Sequence, residues 1–271
     1  VTLLEKDQQL GGQINLIIKT KRPSFAKISK DLERSISKRG GEIRTGVAAT
    51  RDMVVGLAPD GVIVATGARP DTSGFNIVNP SVDQLPGVDQ SNVISGWQAI
   101  EDPDSVGQSV LILDDDGTRY VAGLAEMLLD KGRSVRIVSR QQGLFNRMNT
   151  TLDLPVMLKR LLSAGLEFAP NSWASGIDGS QAELFNIYSG ESSVLGDVDT
   201  FILTTGHLPV DALYFELKGA LENVHRVGDA VAPRRIEHAI YEGFLAGLEQ
   251  FDNWSKYIEP GDLEQYPSQN A

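Results

Sequence analysis

Two apolar runs in this chain break in the same manner. Gly61–Ala65 stops at Thr66-Gly67, and Asp199–Leu203 stops at Thr204-Thr205-Gly206. The continuous apolar run GVIVA suits a strand buried on both faces, and small residues behind each strand allow a sharp turn at its carboxyl end. Helical stretches fall between such strands. Ser109–Leu113, Tyr120–Lys131 and Ser134–Ser139 form a strand–helix–strand unit of about 30 residues, and Gly132 stops its helix. Alternation of this kind predicts an α/β chain with mainly parallel sheets.

Further elements follow from local pattern. Phe25, Ile28, Leu32 and Ile36 recur at helical spacing over Ser24–Arg39; Ser24 is the expected cap and Gly40-Gly41 the stop. Strands are expected at Val1–Glu5, Glu42–Val47, Leu166–Ala169, Ala182–Tyr188 and Val224–Val227, with helices at Thr50–Leu57, Leu154–Ala164 and Arg235–Gln250. Between Arg69 and Asp104 periodicity is lost and Pro, Gly, Asn, Asp and Ser dominate, as in a crossover segment. The repeated strand-to-turn pattern predicts two Rossmann-like nucleotide-binding units, the second inserted into the first. Residues 1–104 and 206–252 form the outer unit, 105–205 the inserted one, and 253–271 a polar tail.

Composition removes several function classes. Net charge is −11 over 271 residues, which disfavours nucleic acid, whose binding requires Lys and Arg against phosphates. No apolar run approaches the roughly 20 residues that span a bilayer. There is no cysteine and there are only three histidines, so neither disulfides nor a cysteine-ligated cluster can be built from this chain. The opening Val1-Thr2-Leu3-Leu4 reads as a strand already under way, with no leader ahead of it. The expectation is a fragment of a longer, cytoplasmic protein.

Several residues are placed for nucleotide chemistry. An acid at the end of a strand, as Glu5 is, accepts hydrogen bonds from an adenosine ribose in dinucleotide folds; elsewhere it is a solvated strand end. Gly11-Gly12-Gln13 admits close backbone approach of a ligand, or is a plain turn. Arg22 reaches a phosphate or is a surface charge. Ala65-Thr66-Gly67 puts small residues where a pyrophosphate or flavin edge passes. Gly228-Asp229, in GDAVAPR ahead of a long helix, is the most specific string: Asp229 can bond cofactor hydroxyls, or cap a helix. The inserted unit lacks the equivalent loop. The three glycine positions of a G-x-G-x-x-G fall at Asp116, Thr118 and Val121, and Asp114-Asp115-Asp116 repels a pyrophosphate. NAD(P) binding is therefore not expected there. His207, His225, His238, Trp97, Trp173 and Trp254 read as structural.

Taken together, VTLLEKDQQLGGQIN (1–15), GVIVATGARP (61–70), GLAEMLLDKGRSVRIVS (123–139) and GDAVAPRRIEHAIYEG (228–243) resemble the NADH:flavin oxidoreductases that carry a C-terminal pair of nucleotide domains, the family of 2,4-dienoyl-CoA reductase and trimethylamine dehydrogenase. The order and spacing of the strings match over almost the whole chain. The resemblance implies FAD, or only ADP, held by the part present here. Glu5 would meet the adenosine ribose; Gly12, Gln13 and Arg22 would line the dinucleotide. The Val47 backbone would meet the adenine, Thr66 and Gly67 the pyrophosphate, and Asp229 the ribityl chain.

The same resemblance implies an upstream barrel with FMN and substrate, followed by an iron–sulfur cluster. Neither these nor the first glycine-rich loop is in this sequence, so no catalytic residue is expected here. The degenerate inserted loop is closer to trimethylamine dehydrogenase than to the NADPH-using reductase. This implies amine oxidation or N-demethylation with electrons passed to a carrier flavoprotein. The full-length protein is expected to be a homo-oligomer.

Overall fold

A computed structural model describes residues 1–249. In chain order, β1 (Thr2–Leu4), α1 (Gln13–Lys19), α2 (Ala26–Lys38) and β2 (Glu42–Arg44) come first. Then come α3 (Arg51–Gly56), β3 (Val62–Val64), β4 (Ala68–Pro70), β5 (Val93–Ser95) and α4 (Gly96–Glu101). The middle of the chain holds β6 (Ser109–Asp114), α5 (Arg119–Asp130), β7 (Ser134–Val138), α6 (Leu154–Ser163) and β8 (Glu167–Ala169). Strands β9 (Ser172–Asp178), β10 (Gln181–Asn186), β11 (Ser192–Leu195), β12 (Thr200–Thr204) and β13 (His207–Pro209) follow. Last are α7 (Ala212–Lys218), β14 (Val224–Arg226) and α8 (Ile236–Glu249). The expected tail, 253–271, and Trp254 lie outside the described residues.

The chain divides into two compact units. One holds Val1–Val47 and Pro70–His207; the other holds Ala48–Arg69 and, among the described residues, those from Leu208 to Glu249.

The larger unit is built on a parallel sheet in the order β5-β12-β6-β7-β8. Successive side chains of a strand point to opposite faces, and both faces here are apolar. Val110 and Ile112 of β6, Val135 and Ile137 of β7 and Ile202 of β12 join Leu124, Leu128 and Leu161 in one cluster. Leu111, Leu113, Val138, Phe201 and Leu203 point the other way, toward Trp173, Ala182 and Leu184. Helices α4, α5 and α6 thus cover one face, and the antiparallel ribbon β11-β10-β9 covers the other. Leu111, Ile112 and Leu113 have no exposed surface at all, and each contributes about 1.5–3 kcal/mol by burial.

Several local expectations are met and several are corrected. The α/β class and parallel pairing are present, and Gly40 and Gly132 end their helices at positive φ, 75° and 76°. Ser24 does not cap α2: a 3-10 turn over Pro23–Phe25 leads into the helix, which has no side-chain cap. No residue of α2 is fully buried, and Leu32, expected on its inner face, is 53% exposed. The segment read as an irregular crossover contains β5, the edge strand of the five-stranded sheet, and α4. The latter is closed by a capping box in which Ser95 and Gln98 satisfy each other's backbone N–H groups. Strand β9 was not foreseen, because the small residues of SWASGID carry no apolar alternation.

The smaller unit pairs β3 with β14 in parallel and packs α3 and α7 on them, with Val54, Val64 and Leu217 buried. GVIVA was expected to be buried on both faces. Val64 is, at 2% exposure, but Ile63, which points to the opposite face, is 40% exposed.

In the larger unit α1 lies close to α5. A Cβ built on Gly123 would come within 2.6 Å of Thr20 Oγ1, so the helix needs a glycine there. Gly123→Ala is expected to lower unfolding stability by about 1–3 kcal/mol, the usual cost of overpacking. Gly143→Ala, where the added methyl meets nothing within 4 Å, is the control. Urea titration of both variants checks this.

Candidate functional site

In the smaller unit the parallel register places Val64 opposite Arg226. The segments that leave these strands therefore start side by side at the carboxyl end of the pair, where α/β sheets bind ligands. One is Ala65-Thr66-Gly67, the other Val227-Gly228-Asp229, and Val227 N donates to Val64 O at 3.1 Å. Thr66 Oγ1 donates to the Val210 carbonyl, and Val210 N returns a bond to Gly67 O at 2.9 Å. Gly67 has φ 74°, and a Cβ there would meet no atom within 4 Å. The turn is thus pinned on one side and open at the glycine.

Gly228 also has a positive φ, 62°, and opens a 3-10 turn over Gly228–Ala230. Its N–H donates to Glu242 Oε2 of α8 at 2.7 Å, and Arg234 also pairs with Glu242. Burial raises the Glu242 carboxyl, but the Gly228 N–H and Arg234 outweigh it and leave the group below its usual range. Asp229 Oδ1 accepts the Arg234 N–H at 2.9 Å, an Asp-to-backbone bond across the AVAP segment. Glu242 was missed in the sequence because its bond to Gly228 spans 14 residues. Its only local signal is its place just before Gly243 in the same string.

The other predicted site residues lie in the larger unit. Glu5 follows β1: its N–H donates to Arg44 O at 3.0 Å, its carbonyl accepts from Val47 N at 2.8 Å, and its Oε1 accepts from Asp7 N at 3.0 Å. Glu5 and Val47 are therefore brought together by backbone pairing. Gly11 and Gly12, at φ 119° and 47°, turn the chain into α1, which opens with Gln13. Nothing lies within 4 Å of a Cβ on Gly12. Arg22 is held elsewhere: it donates to Glu126 of α5 at 3.0 Å, and both side chains are more than four-fifths buried. Glu126 also receives Arg160 at 2.8 Å.

At the carboxyl end of β6 the loop that leads into α5 is filled by its own side chains. Asp114 is 2% exposed and Asp116 6%. Asp114 Oδ1 accepts from Asp116 N at 3.0 Å, Gly117 N at 2.9 Å and Thr204 Oγ1 at 3.0 Å. Burial pushes its carboxyl up to about 7, against the Gly117 N–H, and the neighbouring Asp116 adds to the rise. Asp116 is raised by burial, opposed by His207 and Arg147, and Asp115 pairs with Arg140 at 2.6 Å. Tyr120 is half-buried and its phenol raised by burial and by Asp116 and Asp114; its ring and that of Trp97 pack on His207, 5.9 and 5.3 Å between centroids. Among the described residues no cluster of three or more His, Asp or Glu is arranged to hold a metal ion, and no helix is long and apolar enough to cross a membrane.

The Asp114 shift carries a pH signature. Its carboxyl titrates near 3.8 unfolded and about 7 folded. Below pH 4 the carboxyl is protonated in both states and costs nothing; between pH 4 and pH 7 folding takes up a proton, so stability falls as pH rises through this window. Asp114→Asn keeps the acceptor oxygen and removes the charge. The variant is expected to gain stability relative to the parent between pH 5 and pH 8, by about 2–3 kcal/mol, read as the difference of denaturant midpoints at the two pH values.

Residues 94–200 match the family model described as the OYE-like second alpha/beta domain. The chain is 28% identical to dimethylamine dehydrogenase of Hyphomicrobium over 80% of its own length and 33% of that protein. It is 26% identical to N,N-dimethylglycine/sarcosine dehydrogenase of Chromohalobacter salexigens, over 89% of its length and 39% of the relative. Among solved structures, 6-hydroxypseudooxynicotine amine oxidase of Pseudomonas geniculata superposes with a TM-score of 0.83 at 24% identity, covering 91% of this chain and 38% of that one. The relatives are oxidoreductases, and the chain spans about a third of the length of those it matches.

Proposed function

We propose that this chain is the nucleotide-binding part of a larger flavin-dependent oxidoreductase of the amine-dehydrogenase type, and that it holds the adenine dinucleotide FAD, or ADP. The observation that carries the proposal is the pair of parallel strands β3 and β14, whose carboxyl ends deliver Thr66-Gly67 and Gly228-Asp229 side by side. A Cβ at Gly67 would stand in open space, the room that close approach of a pyrophosphate requires. The residues therefore fit the group. Ala65, Thr66 and Gly67 would border the pyrophosphate through backbone, and Asp229 would receive a cofactor hydroxyl. Glu242 would hold the Gly228 turn in shape from behind. Glu5, Gly11, Gly12, Gln13 and Val47 belong to the same proposal on the adenosine side. Arg22 contributes only where it leaves Glu126.

FAD, when bound, would supply electron transfer; this chain's residues orient it and keep its phosphates against backbone. Division of the chain into an outer unit, 1–104 with 206–252, and an inserted unit, 105–205, is part of the proposal. So are FMN and an iron–sulfur cluster in polypeptide beyond this sequence, and a carrier flavoprotein as electron acceptor. The buried Asp114 and Asp116, with the half-buried Tyr120 beside them, favour an inserted unit that takes no NAD(P). They favour amine oxidation or N-demethylation over an NADPH-driven enoate reduction.

The test uses the full-length protein. Acid extraction and chromatography are expected to release FAD or ADP; recovery of FMN with no adenine nucleotide overturns the proposal. Gly67→Val is expected to lower the adenine nucleotide content by roughly tenfold or more with FMN retained, since the added side chain fills the open position. Unchanged content places the nucleotide elsewhere.

A further inference from the structure

The charge of the chain is unevenly distributed. Residues 1–47 carry ten Lys and Arg against five Asp and Glu, a surplus of five positive charges, while the whole chain is −11. The rest of the sequence therefore carries −16. Much of the positive surplus lies on one helix. At 100° per residue, Lys27, Lys30, Arg34 and Lys38 of α2 fall within an arc of roughly 80°, spread over about 16 Å of helix. All four are exposed, and the Lys27 and Arg34 side chains are 81% and 76% accessible. Asp31 lies on one edge of this arc and pairs with Lys27 and Arg34, and exposed Glu33 lies about 60° beyond the other edge; Lys30 and Lys38 have no opposing carboxylate in any ion pair found among the described residues. A shallow groove runs along the same flank, from Pro23 and Ser24 past Lys27 and Lys30 to Arg34.

We infer that this outward face of α2 is a docking surface for an acidic protein segment, one that presents Asp and Glu at helical spacing. The inference is independent of the nucleotide proposal. Charge complementarity carries it: an outward helix face normally mixes both signs, and in a chain this acidic a ridge of four cations is the exception. Long-range repulsion from the remaining −16 does not prevent docking, because at physiological salt charges beyond about 8 Å are screened and the ridge alone is felt.

A membrane surface fits the observations less well. Phe25, Ile28, Leu32 and Ile36 lie on the opposite side of α2 from the cations. Interfacial helices instead place cations beside the apolar face that they bury. A bilayer would also meet the acidic remainder of the chain over a broad plane.

The experiment titrates the full chain with short poly-L-glutamate at physiological salt and above, and in parallel with vesicles of phosphatidylserine and phosphatidylcholine. Saturable binding of the peptide is expected, with amide shifts confined to α2 and its flanks and affinity falling as salt rises. Lys27→Glu/Lys30→Glu/Arg34→Glu is expected to weaken it about tenfold or more, while Lys159→Glu on α6 leaves it unchanged. Lys27→Gln/Lys30→Gln/Arg34→Gln, which adds no new charge, stands in if the reversed variant does not fold. Equal affinity in the variants, no saturable binding, or vesicle binding that exceeds peptide binding each overturns the inference.

Discussion

Strand β6 has to be dry on both sides. Leu111, Ile112 and Leu113 stand on alternate faces with no surface exposed, so neither face of the five-stranded sheet can be left to water. That condition demands two covering layers, and the chain supplies them in different ways. On one side α4, α5 and α6 present Ile100, Leu124, Leu128 and Leu161. On the other an antiparallel ribbon presents Trp173, Ala182 and Leu184. Strand β12 then returns between β5 and β6 and carries the same alternation, with Ile202 facing the helices and Phe201 and Leu203 the ribbon.

Polar groups at the end of β6 inherit this dryness. Asp114 continues the strand into the loop, where bulk water is excluded, and its carboxyl is held by two backbone N–H groups and the Thr204 hydroxyl. These bonds stabilise the charge and burial opposes it; burial prevails. The loop is thereby closed on itself by a side chain of its own. A pyrophosphate needs bare backbone N–H groups at such a turn, and here those of Asp116 and Gly117 are already taken.

The smaller unit is organised on the contrary principle. Its glycines leave space: Gly67 stands open, and Gly228 is fixed from behind by Glu242 while its neighbour Asp229 closes the turn onto Arg234. Both segments were legible in the sequence, because strand-then-small-residue is a local pattern written within seven residues. Glu242 was not, since the bond that makes it matter joins residues a helix apart. The charge of Arg22 left a phosphate contact and a surface position both open, and its burial against Glu126 depends on a helix more than one hundred residues downstream.

By itself the sequence determined the class of the fold, the positions of most strands and helices, and the turns at their carboxyl ends. Each of these follows from spacing and residue type within a short window, where side-chain periodicity and backbone preference act directly. Tertiary structure alone decided which carboxylates are dry, that Ile63 keeps an open side while Val64 does not, and that SWASGID is a strand. The physical reason is common to all three. Burial and strand pairing are properties of the partner that arrives from elsewhere in the chain, and no local pattern names that partner.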